Sequence, residues 1–219
     1  MRILPGLTST DRSAIEIFLR ELRSSTIREI AFFPTCLDRT DREALYRELE
    51  GINGLSIPHV HLRGDMGVDE IGFLRGAFGS ELFNVHSRAS SHPYTADAGE
   101  FKLSIFIENA DKVPCPEELV GFGGLCIDYS HWASGKLLGD VAYDGFEELA
   151  ATVKIGCCHI SALRPGVRSK WGGFDHHRFT DPTQIDYALD FKRFFPESFA
   201  SLELENGLYE QLEAAERLG

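Results

Sequence analysis

Ser104-Ile105-Phe106-Ile107-Glu108 reads as a strand with two unlike faces. Side chains alternate across a strand, so Ile105 and Ile107 share one face while Ser104, Phe106 and Glu108 share the other. The same division recurs in three other runs. Leu125 and Ile127 oppose Cys126 and Asp128, Phe83 and Val85 oppose Asn84 and His86, and Leu202 and Leu204 oppose Ser201, Glu203 and Glu205. Each apolar face suits packing on helices. Each polar face ends in a carboxylate or an imidazole at the C-terminal end of its strand. Such groups are costly to bury unless they are paired or bound to a metal ion. Their repetition at strand ends points to an active site at the C-terminal mouth of a parallel barrel.

Working outward, short apolar runs fall at 2–4, 30–34, 56–61, 82–86, 104–109, 125–131, 154–161 and 201–206. Their length and their Ile, Val and Phe content suit strands. Helical patterns lie between them. Ile15, Phe18, Leu19 and Leu22 share one face of a helix over 9–23. Thr40-x-x-Glu43 and Asp144-x-x-Glu147 read as capping boxes, and Asp181-Pro182 as an N-cap followed by proline in the first turn. Asn206 is placed to cap a last helix over 209–218, and weaker helical signals follow Asp65 and surround Pro116. Eight strands alternating with helices suit a closed α/β TIM (β/α)8 barrel, with a doubly wound open sheet as the rival. No linker or repeat divides the 219 residues, so a single domain over 1–219 is expected.

Composition limits the function. Lys and Arg total 22 against 34 Asp and Glu, a net charge of -12 that opposes binding to a phosphate backbone. No apolar run approaches the ~18 residues of a membrane span. The opening MRILPGLTSTDRS lacks the apolar core of a signal peptide. Five cysteines without a CxxC spacing suit a reducing compartment, so a cytoplasmic protein is expected.

By parity and position the candidate site residues are His59 or His61, His86, Glu108, Asp128 with His131, His159, and Glu205, joined by Asp175 and His177. Glu203 shares the parity of Glu205 one layer deeper, which ranks Glu205 first. Imidazoles with carboxylates suit Zn²⁺, Mn²⁺ or a similar ion. Cys126 and Cys157 face inward and read as small inert core thiols. His92 and His176 read as ordinary loop residues. Arg168-Ser169-Lys170-Trp171 brings cations and an aromatic ring near the mouth.

Gly124-Leu125-Cys126-Ile127-Asp128-Tyr129-Ser130-His131 resembles the Asp-x-x-His signature of endonuclease-IV-type apurinic endonucleases, members of the xylose-isomerase-like barrel superfamily. Ile57-Pro58-His59, Phe83-Asn84-Val85-His86, Ile107-Glu108-Asn109, His159-Ile160-Ser161, Asp175-His176-His177 and Leu204-Glu205-Asn206 resemble the other family motifs in order. The resemblance implies a compact TIM barrel. It also implies one to three divalent ions, Zn or Mn, held by His59, His86, Glu108, Asp128, His131, His159, Asp175, His177 and Glu205. Glu108 and Glu205 are implied as catalytic. The sugar-isomerase branch shares only Glu108, Asp128, His159 and Glu205 around one ion.

Three functions follow as expectations. The first is metal-assisted hydrolysis of a phosphoester in a small phosphorylated molecule, because the acidic chain and short loops do not suit duplex DNA. The second is isomerisation or epimerisation of a sugar or sugar phosphate, with Glu108 and Glu205 moving protons. The third is a barrel that binds metal or ligand without catalysis.

Overall fold

The computed structural model describes residues 2–219. Two short strands, β1 (Arg2–Leu4) and β2 (Gly6–Thr8), flank Pro5. They lead through α1 (Arg12–Ser24), β3 (Glu29–Phe33) and α2 (Arg39–Glu50) to β4 (Ser56–His61) and α3 (Val68–Phe78). Next come β5 (Leu82–His86), β6 (Ile105–Glu108), the single turn α4 (Pro116–Leu119), β7 (Gly124–Asp128), α5 (Tyr129–Leu138) and α6 (Phe146–Thr152). The chain ends with β8 (Ile155–Ile160), β9 (Ala162–Leu163), β10 (Asp175–His176), a long 3-10 segment (Pro182–Phe194), β11 (Phe199–Leu202) and α7 (Leu208–Ala215).

Nine strands pair in the order β1-β11-β8-β7-β6-β5-β4-β3-β2. Every pairing in this sheet is parallel. The first and last strands in that order are the two halves of one segment. β1 pairs with β11 and β2 with β3, and between them the carbonyl of Pro5 accepts a hydrogen bond from Ala31 N at 2.9 Å. The sheet is therefore closed into a barrel of eight staves, and the open-sheet rival is excluded. Proline cannot donate to a ladder, which is why the first stave breaks there.

The closure depends on close approach. A Cβ on Gly6 would run into the carbonyl oxygen of Leu202, so the seam accepts only glycine. Gln211 of α7 seals it from outside. Its Oε1 accepts from Gly6 N at 2.8 Å, and its Nε2 donates to the carbonyls of Gly6 at 3.0 Å and Asn206 at 2.8 Å.

Leu4, Ala31, Phe33 and Phe199 fill one part of the barrel interior, and Phe106, Cys126 and Cys157 another. The outward faces of the strands pack on the helices, as with Val60, Phe83, Val85, Ile105 and Ile107 on one side. Leu125, Ile127, Cys158, Ile160 and Leu202 do the same on the other. Each fully buried large apolar side chain contributes about 1.5–3 kcal/mol. All five cysteines are free. Among the described residues, no helix is long and apolar enough to cross a membrane.

Several local expectations shift. The run 125–131 is not one strand: β7 stops at Asp128, whose Oδ1 accepts from His131 N at 2.8 Å and starts α5. β11 spans Phe199–Leu202 rather than 201–206. The cap of α2 is Asp38, accepting from Asp41 N at 2.9 Å, not Thr40. Asp144 does not cap α6, which starts after Gly145. Asp181 does cap the segment beginning at Pro182, but that segment winds as a 3-10 helix. The last helix starts after Gly207, with Glu210 accepting from Gly207 N at 3.0 Å, so Asn206 is not its cap.

Candidate metal centre

At the C-terminal ends of the strands, above the apolar interior, lies a cavity of about 440 Å³. Its lining includes His61, His86, Glu108, His131, Asp175, His177 and Glu203. Parallel register brings these groups together. His86 pairs with Glu108, and Asp128 pairs with His159, each at the top of its strand. The hairpin of β9 and β10 carries Asp175 and His177 back over the mouth. A Cβ on Gly173 would collide with Asp175 Oδ1, so glycine there leaves room for that carboxylate.

The imidazole–carboxylate separations suit shared ions. His61 Nε2 lies 3.2 Å and His86 Nε2 3.9 Å from the Glu108 carboxylate. His131 Nε2 lies 3.5 Å from Asp128, and its Nδ1 3.9 Å from Asp175. His159 Nε2 lies 3.3 Å from Glu108, while its Nδ1 lies 3.3 Å from Asp128 and 2.9 Å from Glu203. His177 Nε2 lies 3.9 Å from Glu203. Donors that share an ion at about 2.0–2.3 Å stand about 3–4.5 Å apart, as most of these do. Among the described residues four groups have ligand atoms within 4.8 Å of one another, and three lie at this mouth: His61/His86/Glu108, Glu108/Asp128/His131 and His61/His159/Glu203.

Hydrogen bonding supports the same reading. His61 Nδ1 and His177 Nδ1 are buried without a partner, which costs about 1–3 kcal/mol each. His61 Nε2 and both nitrogens of His159 face carboxylate oxygens at 2.9–3.3 Å without an aligned hydrogen bond. His86 Nδ1 lies 3.2 Å from the carbonyl of His92. A carbonyl only accepts, so Nδ1 carries the proton and the Nε2 lone pair faces Glu108. Asp128 spends Oδ1 on its helix cap and on Ser130 Oγ at 2.6 Å, leaving Oδ2 toward the two histidines. The residues present fit a centre of divalent ions.

Charges here interact strongly. Burial alone would raise Glu108, but the imidazoles of His61, His159 and His86 hold it well below the usual carboxylate range. Burial opposes ionisation of Glu203 too, yet His177 and His159 bring it down to about 2. Burial lowers His61 to about 3. The same burial works against His131, but Asp128 and Asp175 push it up to about 9. His159 is likewise raised against burial, by Glu108, Asp128 and Glu203.

Two expected ligands lie elsewhere. His59 is one layer deeper than expected, because β4 runs on to His61 and gives that residue the top inward position. Its Nδ1 lies 2.8 Å from Ser201 Oγ and its Nε2 3.0 Å from Asn84 Oδ1. Cys126 and Cys157 lie within ligand distance of His59, but both imidazole nitrogens are already engaged. Glu205 is the other. The chain leaves the barrel wall after Leu202, so Glu203 is the last inward side chain and Glu205 instead accepts from the hydroxyl of Thr10. His86, Glu108, Asp128, His131, His159, Asp175 and His177 gather as expected, with His61 and Glu203 completing the set.

The cavity wall adds residues that pattern did not single out. Arg63 and Tyr94 line it, as does Asp111, whose Oδ2 accepts from Ser91 N at 2.7 Å. They sit in loops, where no periodicity marks an inward side chain. Trp171 reaches the mouth, with its ring 4.7 Å from that of His177 and Lys170 Nζ 4.3 Å from its centroid. His92 also lines the cavity, whereas His176 Nε2 bonds the Val167 carbonyl at 3.0 Å. No protein-family model matches this chain, and no curated protein matches it.

Proposed function

We propose that the chain is a divalent-metal-dependent hydrolase of small phosphoesters. The observation that carries this reading is the sharing of ligands. Glu108 belongs to two of the ligand groups and His61 to two, so neighbouring ions would be bridged rather than isolated. Ions in such a pair would supply Lewis acidity, polarising a phosphoryl oxygen and making water nucleophilic at neutral pH. His61, His86 and Glu108 would hold one ion, Glu108, Asp128 and His131 a second, and His61, His159 and Glu203 a third. Asp175, 3.9 Å from His131, and His177, 3.9 Å from Glu203, stand beside the last two. The protein's own groups do the rest. Glu203, lining the cavity between His159 and His177, would orient the water. Arg63 lines the wall with Nη1 donating to the Leu37 carbonyl at 2.7 Å and Nε 3.7 Å from Asp65, so its Nη2 would meet a phosphate oxygen. A cavity of about 440 Å³ suits a sugar phosphate or a similar small ester.

A second reading has its own support. Glu108 lies 3.3 Å from His159 Nε2, and Asp128 and Glu203 lie 3.3 and 2.9 Å from its Nδ1, so three carboxylates and one imidazole resembling a sugar isomerase's residue set stand together. A panel assay on the metal-loaded protein separates the two. The hydrolase reading expects phosphate or alcohol release from small phosphomonoesters or diesters, abolished in Glu203→Gln, with no cleavage of an abasic duplex. Aldose–ketose interconversion without phosphate release would replace it with the isomerase.

A further inference from the structure

Below the metal centre, four side chains form a buried line that ends on Glu108. Ser201, His59 and Asn84 are fully buried and Glu108 nearly so. Ser201 Oγ lies 2.8 Å from His59 Nδ1, His59 Nε2 lies 3.0 Å from Asn84 Oδ1, and Asn84 Nδ2 lies 2.6 Å from Glu108 Oε2. The carboxylate fixes the direction of the whole line. An ionised Glu108 only accepts, so the amide nitrogen of Asn84 faces it and the amide oxygen faces His59. That oxygen also only accepts, so His59 Nε2 must carry the proton. In a neutral imidazole Nδ1 is then the acceptor, and the hydroxyl of Ser201 donates to it.

We propose that His59 is a positioning residue for the metal centre: held as the Nε2–H tautomer by Ser201, it fixes Asn84, which orients the shared carboxylate of Glu108. This inference rests on the metal reading above. It assigns a role to an imidazole that resembles a ligand in sequence and is not placed as one. His59 also lies within ligand distance of Cys126 and Cys157, but both of its nitrogens already face Ser201 and Asn84. An apolar layer there would be easier to bury, as Phe33 and Phe199 are beside it. Outer partners that orient a ligand typically change metal affinity by about 10–100-fold when removed.

Ser201 gives the sharpest test, because its hydroxyl bonds His59 and no proposed ligand. Without its hydroxyl, His59 is free to adopt the Nδ1–H tautomer, which cannot donate to Asn84. Zinc affinity is measured by competition with a chelating dye on the full chain, alongside thermal melting. Ser201→Ala, His59→Leu and Asn84→Leu are expected to bind zinc about 10–100-fold more weakly. His59→Gln keeps a donor and an acceptor and is expected to recover most of the affinity. Cobalt-loaded variants are expected to show an altered visible spectrum, which a purely structural role would leave unchanged. Independently, ¹⁵N spectra of the wild-type histidines without metal are expected to show His59 with its proton on Nε2. A proton on Nδ1, or zinc affinity unchanged in both Ser201→Ala and His59→Leu, overturns the proposal. Failure of the wild type itself to bind zinc would overturn the metal reading, and that is read from the wild-type titration rather than from any variant.

Discussion

Asp128 has two oxygens with two different jobs. Oδ1 caps α5 by accepting from His131 N at 2.8 Å, and Oδ2 faces His131 and His159. Substitutions separate these jobs. Asp128→Asn keeps an oxygen for the cap and removes the charge, so metal content is expected to fall, and the chelated protein is expected to lose only the pairing with His131 and His159. Asp128→Ala removes both and is expected to lose about 1 kcal/mol of stability as well, the usual worth of a cap. Metal analysis with thermal melts of both variants checks this; full metal content in Asp128→Asn would remove Asp128 from the centre. At this scale the sequence was informative where a side chain sits on a regular strand. Parity alone puts His86, Glu108, Asp128 and His159 on the inner face. It does not fix depth, because His59 and His61, or Glu203 and Glu205, share a face. Which member reaches the cavity depends on where β4 and β11 end.

Elements set those ends. All eight expected strand runs exist, because buried parallel strands read as apolar runs that helices do not interrupt. Their boundaries were less legible: β7 gives way to α5 at Asp128, and the hairpin that delivers Asp175 and His177 is two residues long on each side. The barrel seam was not legible at all, since nothing in the sequence marks Gly6 as the contact with Leu202. Gly6→Ala drives a Cβ into the Leu202 carbonyl, one residue before Glu203. Backbone cannot rotate away as a side chain can, so this single methyl is expected to lower stability and metal affinity together. Thermal melting and a zinc titration read the two effects. A Gly6→Ala protein that melts and binds like the wild type would show that the seam is not tight.

Across the whole molecule opposite charges meet most closely at the mouth, where Glu108, Asp128, Asp175 and Glu203 face five imidazoles. This predicts opposite pH responses with and without metal. In the chelated protein, burial works to lower His131, but its carboxylate neighbours push it up to about 9. Unfolded histidine titrates near ~6.5, so this stabilisation is complete below that pH and lost as pH rises through 9. His159, also raised, adds to the same loss. His61, lowered by burial to about 3, acts on the acid side, weakening the fold as pH drops below ~6.5. Ligand histidines must be deprotonated to bind a cation, so saturating zinc is expected to offset the alkaline loss. Melting temperatures between pH 6.5 and 9, with chelator and with zinc, test this; a chelated protein that gains stability over that range would contradict it. The central claim is that nine side chains at the barrel mouth form a multinuclear metal centre, and elemental analysis of the purified, dialysed chain tests it most directly. Two to three zinc or manganese ions per chain are predicted in the wild type, with at least one lost in Glu108→Gln; one ion or none per chain would contradict it.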